Sequence, residues 1–318
     1  MTNKQLPITN IKSLLLILGP TGVGKTELSL RMAERLGCPI VSCDSRQIYR
    51  EIPIGTAAPT TEEQTRVKHY FIGTHSLDED YNAGQYERDA LELLGQLFKT
   101  HDTIVMTGGS MLYIDAVCDG LDDIPAVPDA IRARVQGAYR AHGIEWLQQE
   151  VERLDPEYWA QVDQLNPARL MHCVELCYAT GGTYSALRKG RQSKQRPFRV
   201  LKIGLNRERQ ALYDRINRRV LQMIDEGLEQ EARNVYDLRH RNSLQTVGYR
   251  EMFGYLDGEY DLLRAIELIQ QNSRHYAKRQ MTWFNKDQSI HWIDANNDYE
   301  TNCNTIFELL RADSLQQD

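Results

Sequence analysis

Residues 13–26 read Ser13-Leu-Leu-Leu-Ile-Leu-Gly-Pro-Thr-Gly-Val-Gly-Lys-Thr26. The first six are a short, mostly apolar run, as in a strand buried on both faces. The next eight fit G-x-x-x-x-G-K-[ST]. Leu28, Leu30, Met32, Ala33 and Leu36 then recur at helical spacing. Strand, glycine loop and helix in direct succession are the setting in which this motif cradles phosphate. Glycine lets backbone N–H groups face inward, the helix start adds partial positive charge, and Lys25 adds a full one. Gly19, Pro20, Thr21, Gly22, Val23, Gly24, Lys25 and Thr26 are the candidate diphosphate-binding residues, with the Thr26 hydroxyl a candidate Mg²⁺ ligand. Such a loop binds a diphosphate whichever molecule carries it. Kinases, NTPases and transferases whose leaving group is diphosphate all stay open at this point.

Outward from the loop, residues 39–43 and 103–107 are further short apolar strands, and residues 83–99 have the period of an amphipathic helix. Residues 52–61, with two prolines and a glycine, read as an exposed loop. Strands alternating with helices through short connections predict a parallel sheet. After about Gly120 the pattern changes. Residues 125–191 hold helical stretches without a convincing strand, and residues 199–205 return to a strand. Residues 207–226, 228–238 and 261–284 read as helices and 289–293 as a last strand. The expected fold is α/β, a P-loop NTPase-like parallel sheet core (1–119 and 199–318) with an all-helical insertion domain (120–198).

The chain has 318 residues and a net charge of −6 from 38 basic and 44 acidic side chains. That balance argues against a generic nucleic-acid coater. The charge is unevenly placed. Residues 188–219 hold twelve Lys/Arg and two Asp/Glu, a local +10 against −16 elsewhere. An acidic protein with one basic belt selects a particular polyanion. Arg188, Lys189, Arg191, Lys194, Arg196, Arg199 and Lys202 read as an RNA phosphate track, with a solubilising linker as the alternative. Six cysteines lack zinc spacing and read as reduced packing thiols in a cytoplasmic protein. No apolar run is long enough to span a membrane, and no signal peptide is apparent.

Asp44-Ser-Arg-Gln47 follows the second strand, at the sheet edge where ligands bind in open α/β folds. Asp44 is a candidate base for an attacking nucleophile. A metal-holding role, or capping of a short helix over residues 46–49, are the alternatives. The third strand ends in Gly108-Gly109, with no acid at the usual Mg²⁺-holding position of an NTPase, which weakens the ATPase reading.

At these residues the sequence resembles the tRNA dimethylallyltransferases, or tRNA isopentenyltransferases. The family's G-P-T-x-x-G-K-T loop is followed by D-S-x-Q-x-Y-R, matched by Asp44, Ser45, Gln47, Tyr49 and Arg50. Gly55-Thr-Ala-Ala-Pro59, His69-Tyr-Phe71 and Gly108-Gly-Ser-Met-Leu-Tyr113 follow in order. So do Leu212-Tyr-Asp-Arg-Ile216 with Arg219, then Val247-Gly-Tyr-Arg-Glu251, and Arg274-His-Tyr-Ala-Lys-Arg-Gln280 with Thr282-Trp-Phe284. The loop alone is common; this order of motifs is highly specific. The lack of a C-terminal zinc-finger pattern resembles the bacterial members.

The resemblance implies transfer of a dimethylallyl group from dimethylallyl diphosphate to N6 of the adenine beside the tRNA anticodon, with Mg²⁺ as cofactor and the anticodon stem-loop as partner. The chain is read as a monomer. Asp44, Lys25, Thr26 and Arg219 would be catalytic. The target base must be flipped out of its stack. Asp44, Ser45, Arg46 and Gln47 would line its pocket, with Gln47 able to read an adenine edge. By the same resemblance Ser110, Arg169, His172, Val247, Gly248, Tyr249 and Arg250 face the RNA. His172 stands where the family commonly has arginine, and Ser110 replaces a usual threonine. Residues 276, 280, 283 and 284 share a helix face read as core packing, with the basic face of that helix toward RNA. Prenylation of free adenine nucleotides, a small-molecule kinase, and a non-catalytic RNA-binding module are the competing readings.

Overall fold

The computed structural model describes residues 12–122, 124–188 and 194–315. The chain runs β1 (Ser13–Leu18), α1 (Lys25–Leu36), β2 (Ile40–Ser42), α2 (Thr61–Arg66), β3 (His69–Tyr70), α3 (Ala83–Leu97), β4 (Thr103–Gly108) and α4 (Met111–Cys118). Four helices follow: α5 (Asp129–Leu154), α6 (Pro156–Trp159), α7 (Pro167–Thr180) and α8 (Tyr184–Leu187). Then come β5 (Arg199–Asn206), α9 (Arg209–Asp225), α10 (Leu228–Asn234), α11 (Tyr249–Leu256), α12 (Leu262–Phe284), β6 (Ile290–Asp294) and α13 (Tyr299–Leu315). The six strands form one parallel sheet in the order β3-β2-β4-β1-β5-β6. The apolar run of β1 has its cause in this order. The strand lies between β4 and β5, with Ser13 in register with Thr103 and Arg199, and Leu14 to Leu18 are buried.

Two compact units emerge. One is the chain up to Cys118 together with the chain from Gln195; the other is Asp119–Lys194. In the first, α9 to α12 close a second core in which Val220, Met223, Tyr249, Met252 and Ile269 pack with Ile48 and Ile52. The Asp119–Lys194 unit is helical among its described residues and has its own core of Val135, Leu147, Val151, Leu170 and Val174. Asp155 ties that unit's turns together, its carboxylate accepting from Tyr158 N (3.0 Å), Ser185 N (2.6 Å) and Ser185 Oγ (2.7 Å). Cys173 and Cys177 lie beside it, but these hydrogen bonds already engage both Asp155 oxygens, so the trio reads as packing, not as a metal site. The six cysteines are buried and none is in a disulfide. Among the described residues no helix is long and apolar enough to cross a membrane.

Several elements differ from the sequence reading. Residues 46–49 form a turn, not a helix, because Asp44 Oδ1 accepts the Arg46 N–H at 2.9 Å and closes the chain locally. Residues 228–238 split into α10 and a 3₁₀ turn at Tyr236–Leu238. The helix α4 has apolar residues around most of its surface and so carries little helical period. Only its pairing with β2 reveals the two-residue β3.

The basic belt also changes character. Arg196 is buried in the core unit, where it donates to Glu87 (2.8 Å) and to the Ala116 and Val117 carbonyls at the end of α4. Lys202 is paired with Asp287 at 2.7 Å. Arg188 lies over the Tyr158 and Tyr184 rings. Lys189 and Arg191 fall outside the described residues. The belt is therefore no continuous phosphate track, because part of its charge is committed to internal partners. The Arg196–Glu87 pair, about nine-tenths buried on both sides, also explains why the core unit resumes at Gln195, ahead of β5. Arg196→Met should lower stability by about 3 kcal/mol, because it removes the guanidinium that pairs with the buried Glu87 carboxylate. Urea unfolding of the two proteins measures the difference, and a loss below about 1 kcal/mol would contradict the assignment.

Candidate active site

The phosphate loop sits at the carboxyl edge of β1, where Leu18 ends the strand and Lys25 begins α1. Gly24 caps that helix at φ 115°, a left-handed conformation that a side chain would strain. The first-turn N–H groups of α1 lack intrahelical partners, and Gly24, Lys25 and Thr26 line the loop's hollow. Lys25 Nζ donates to the Gly19 and Pro20 carbonyls at 2.9 and 3.0 Å. From α9, Arg215 Nε donates to Gly22 O (2.9 Å) and Arg219 donates to the Thr21 hydroxyl. That contact uses an oxygen lone pair on Thr21 and leaves its O–H free to donate.

The loop has a fourth brace, from α12. Gln280 is buried; its Oε1 accepts Thr21 N–H at 2.8 Å and its Nε2 donates to Gly109 O at 2.9 Å. One amide thus spans the loop and the Gly-Gly turn after β4. The sequence reading placed residue 280 on a packing face. Its only signal was a buried-face glutamine, whose amide must find polar partners. Arg215 lies within the Leu212-Tyr-Asp-Arg-Ile216 motif, but the sequence reading assigned it no role of its own.

Electrostatics concentrate here. Burial, then repulsion by Arg219, pulls the Lys25 ammonium down to about 8, with Asp44 acting in the opposite sense. Arg219 is lowered by burial as well. The Tyr276 phenol is pushed up to about 12 by burial and by Asp44. Two neighbouring cations in a partly dehydrated hollow are a standing demand for an anion.

Asp44 lies at the end of β2. Its Oδ1 is engaged by the turn, and among the described residues no hydrogen bond reaches Oδ2. Two cavities meet at this residue. The larger, about 600 Å³, is lined by the phosphate loop, the residue 54–60 loop and α9. The smaller, about 320 Å³, is lined by Ser45, Arg46, Ser110, Val247, Gly248, Arg250 and Arg279, among others. Thr21, Asp44, Thr56, Arg219, Met223 and Tyr276 line both.

Most residues singled out in the sequence therefore converge, though three of them do so differently. Tyr249 is fully buried, not facing outward; its hydroxyl donates to Glu231 and approaches Ile52 O. Its ring belongs to the second core, which accounts for the misreading of an amphipathic residue. Gln47 donates both amide hydrogens to the Thr56 and Ala57 carbonyls (3.2 and 2.9 Å), so it holds a loop instead of offering an edge to a base. Ser110 accepts from Ser45 N at 2.8 Å and steadies the Asp44 turn. Arg169 and His172 belong to the Asp119–Lys194 unit, exposed on α7, with the His172 ring edge-on to Tyr184.

Thr26 is exposed at the hollow, and no cluster of three metal-ligating His, Cys, Asp or Glu side chains surrounds it among the described residues. Thr26 and Asp44 line the same cavity, and a hydroxyl with a carboxylate suits a hard cation held mainly by phosphate oxygens and water.

The IPP transferase family model matches residues 47–287 of this chain. The tRNA dimethylallyltransferase 1 of Bacteroides thetaiotaomicron is 53% identical over 303 residues, covering 95% of this chain and 96% of that protein. The tRNA dimethylallyltransferase of Flavobacterium johnsoniae is 42% identical over 308 residues, 95% of this chain and 99% of the relative. Among solved structures, the tRNA isopentenylpyrophosphate transferase of Bacillus halodurans superposes with a TM-score of 0.70 at 34% identity, covering 95% of this chain and 97% of that one. A eukaryotic dimethylallyltransferase acting on tRNA shares the fold with a TM-score of 0.79 at 21% identity, over 95% of this chain and 79% of that one. The family model spans about three quarters of the chain and these relatives match along nearly their whole length, so the chain belongs to the IPP transferase family.

Proposed function

We propose that this protein transfers a dimethylallyl group from dimethylallyl diphosphate to N6 of the adenine immediately 3′ of the anticodon in tRNA, releasing diphosphate. The observation that carries the reading is the meeting of two cavities at Asp44, Thr21 and Arg219. An alkyl transfer needs a nucleophile and a leaving group on opposite sides of one carbon. The larger cavity, with the phosphate loop, suits the diphosphate. The smaller one, rimmed by Arg46, Arg250 and Arg279, suits a flipped base and its backbone.

The chemistry follows from the residues. The adenine amine is a weak nucleophile because its lone pair is shared with the ring. As the N6–carbon bond forms, the amine acidifies and Asp44 accepts its proton. The carbon–oxygen bond to diphosphate breaks at the same centre. The leaving oxygens gain charge, which Lys25, Arg219, the Thr21 hydroxyl and the first-turn N–H groups of α1 are positioned to meet. Mg²⁺, held by Thr26 and the diphosphate itself, would add Lewis-acid stabilisation of that charge. The anticodon stem-loop as docking element, with Arg169 and His172 among its contacts, and a monomeric enzyme complete the proposal.

A kinase reading is less favoured because no carboxylate follows β4, where Gly108 and Gly109 stand. Incubation with dimethylallyl diphosphate, Mg²⁺ and unmodified tRNA should add one prenyl mass to adenosine. Modification of free AMP but not tRNA, or ATP turnover without transfer, would sink the proposal. Asp44→Asn should lower kcat by at least ~10²-fold while tRNA binding persists; near-normal turnover would remove Asp44 from the base role. Lys25 supplies a pH signature. Its ammonium is held near 8 in the ligand-free hollow, and only the charged form attracts diphosphate. Affinity for dimethylallyl diphosphate in the absence of tRNA should be flat below pH 8 and fall above it, approaching about tenfold per unit. Calorimetric titration between pH 7 and 9.5 checks this, and Lys25→Met should abolish the slope.

A further inference from the structure

The loop over residues 52–59 is the main apolar wall of the larger cavity. Ile54, Thr56, Ala57, Ala58 and Pro59 all line it. Yet the loop belongs to no regular element and connects the Asp44 turn to α2. Its backbone is closed on itself by Ala57 N–H to Ile54 O (2.9 Å) and Ala58 N–H to Pro53 O (2.9 Å). Ala57 sits at φ 50°, a left-handed conformation for a residue that carries a side chain. Such a conformation persists only where the surroundings enforce it.

The enforcing groups can be named. Glu231 on α10 is a buried carboxylate that accepts Ile54 N–H on Oε2 and Gly55 N–H on Oε1, both at 2.8 Å. Tyr249 donates its hydroxyl to the same Oε1. The Tyr249 ring lies so close under Gly55 that an added Cβ there would sit 2.6 Å from Cζ. From the other side Gln47 holds the Thr56 and Ala57 carbonyls. Glu231 and Tyr249 are not in the set that lines the larger cavity. They act on it only through the loop.

We propose that Glu231, seconded by Tyr249, is a positioning residue that sets the apolar wall of the prenyl-binding cavity, and with it the preference for a five-carbon chain. This rests on the proposed prenyl transfer. A carboxylate suits the task because both its oxygens accept, and two consecutive N–H groups need two acceptors. Glutamine has the same shape but places an N–H against an N–H. One of Ile54 or Gly55 must then move, and the wall moves with it. The phosphate loop, held by Lys25, Arg215, Arg219 and Gln280, is not touched by the change.

Binding measurements separate this role from general stability. Wild type and Glu231→Gln are titrated with inorganic diphosphate, dimethylallyl diphosphate and the ten-carbon geranyl diphosphate. In the variant, diphosphate affinity should stay within about twofold, dimethylallyl diphosphate should weaken about tenfold, and the preference for five carbons over ten should fall by about tenfold, the scale on which hydrophobic pockets discriminate chain length. Weakening of all three ligands together, or of none, overturns the proposal. So does a wild type that binds diphosphate and dimethylallyl diphosphate equally. If Glu231→Gln fails to fold, Tyr249→Phe decides. It keeps the ring under Gly55 and should shift the same preference in the same direction by a smaller factor; an unchanged preference overturns the role. Binding with the expected preferences but no transfer to tRNA would refute the proposed function and leave the Glu231 assignment standing.

Discussion

An anion site made of backbone imposes a contradiction: the N–H groups at the start of α1 must stay unpaired by protein, yet the loop that presents them must not collapse. Everything around residues 19–26 resolves it by bonding the loop elsewhere. Lys25 takes the Gly19 and Pro20 carbonyls, Arg215 the Gly22 carbonyl, Arg219 the Thr21 hydroxyl, and Gln280 the Thr21 N–H. Three of these four braces come from α9 and α12, more than 190 residues downstream. The helices that close the second core therefore also build the first site. Stability of that core and competence of the loop are coupled, so variants in α9 or α12 need binding data as well as activity data.

The same braces create the local electrostatics. Lys25 and Arg219 share a hollow in which Asp44 is the carboxylate that offsets both charges, and both are lowered by burial. Keeping cations partly dehydrated without a full set of anions costs stability. A bound diphosphate would remove that cost; burial and the Arg219 charge are what pull the lysine down to about 8. The net charge of −6 makes the hollow a positive exception on a negative molecule, and directs small polyanions to one place.

Legibility in the sequence followed the range of the interactions. The phosphate loop and β1 are local, so a run of apolar residues and a glycine spacing revealed both. Asp44 was legible from its place after β2, because strand ends in a parallel sheet form the ligand edge. The rest depends on partners distant in sequence. Arg196 looked like surface charge until Glu87, 109 residues earlier, took it inside, and Lys202 found Asp287 in the same way. Tyr249 was placed against RNA by the family motif it shares with Val247, Gly248 and Arg250; those neighbours do line a cavity, while its own ring turns inward. Gln280 and Glu231 were invisible for a related reason. Each is a polar residue at a buried helical position, and nothing local says which backbone groups it will meet.

These distant contacts also bear on how the protein would choose its substrates. In a displacement at carbon, specificity for the alkyl chain and for the nucleophile must be set separately, since the two approach from opposite sides. The residue 52–59 loop stands between those tasks. Ile54, Ala57 and Ala58 face the diphosphate cavity, Gly55 the base cavity, and Thr56 both. A mobile loop there would blur both choices at once. Glu231 and Gln47 clamp it from opposite ends, and the left-handed Ala57 marks how firmly. Rigidity at this strip lets Asp44, fixed on one side by its own turn, meet a carbon fixed on the other by the diphosphate. That is the alignment on which an intramolecular-like rate depends.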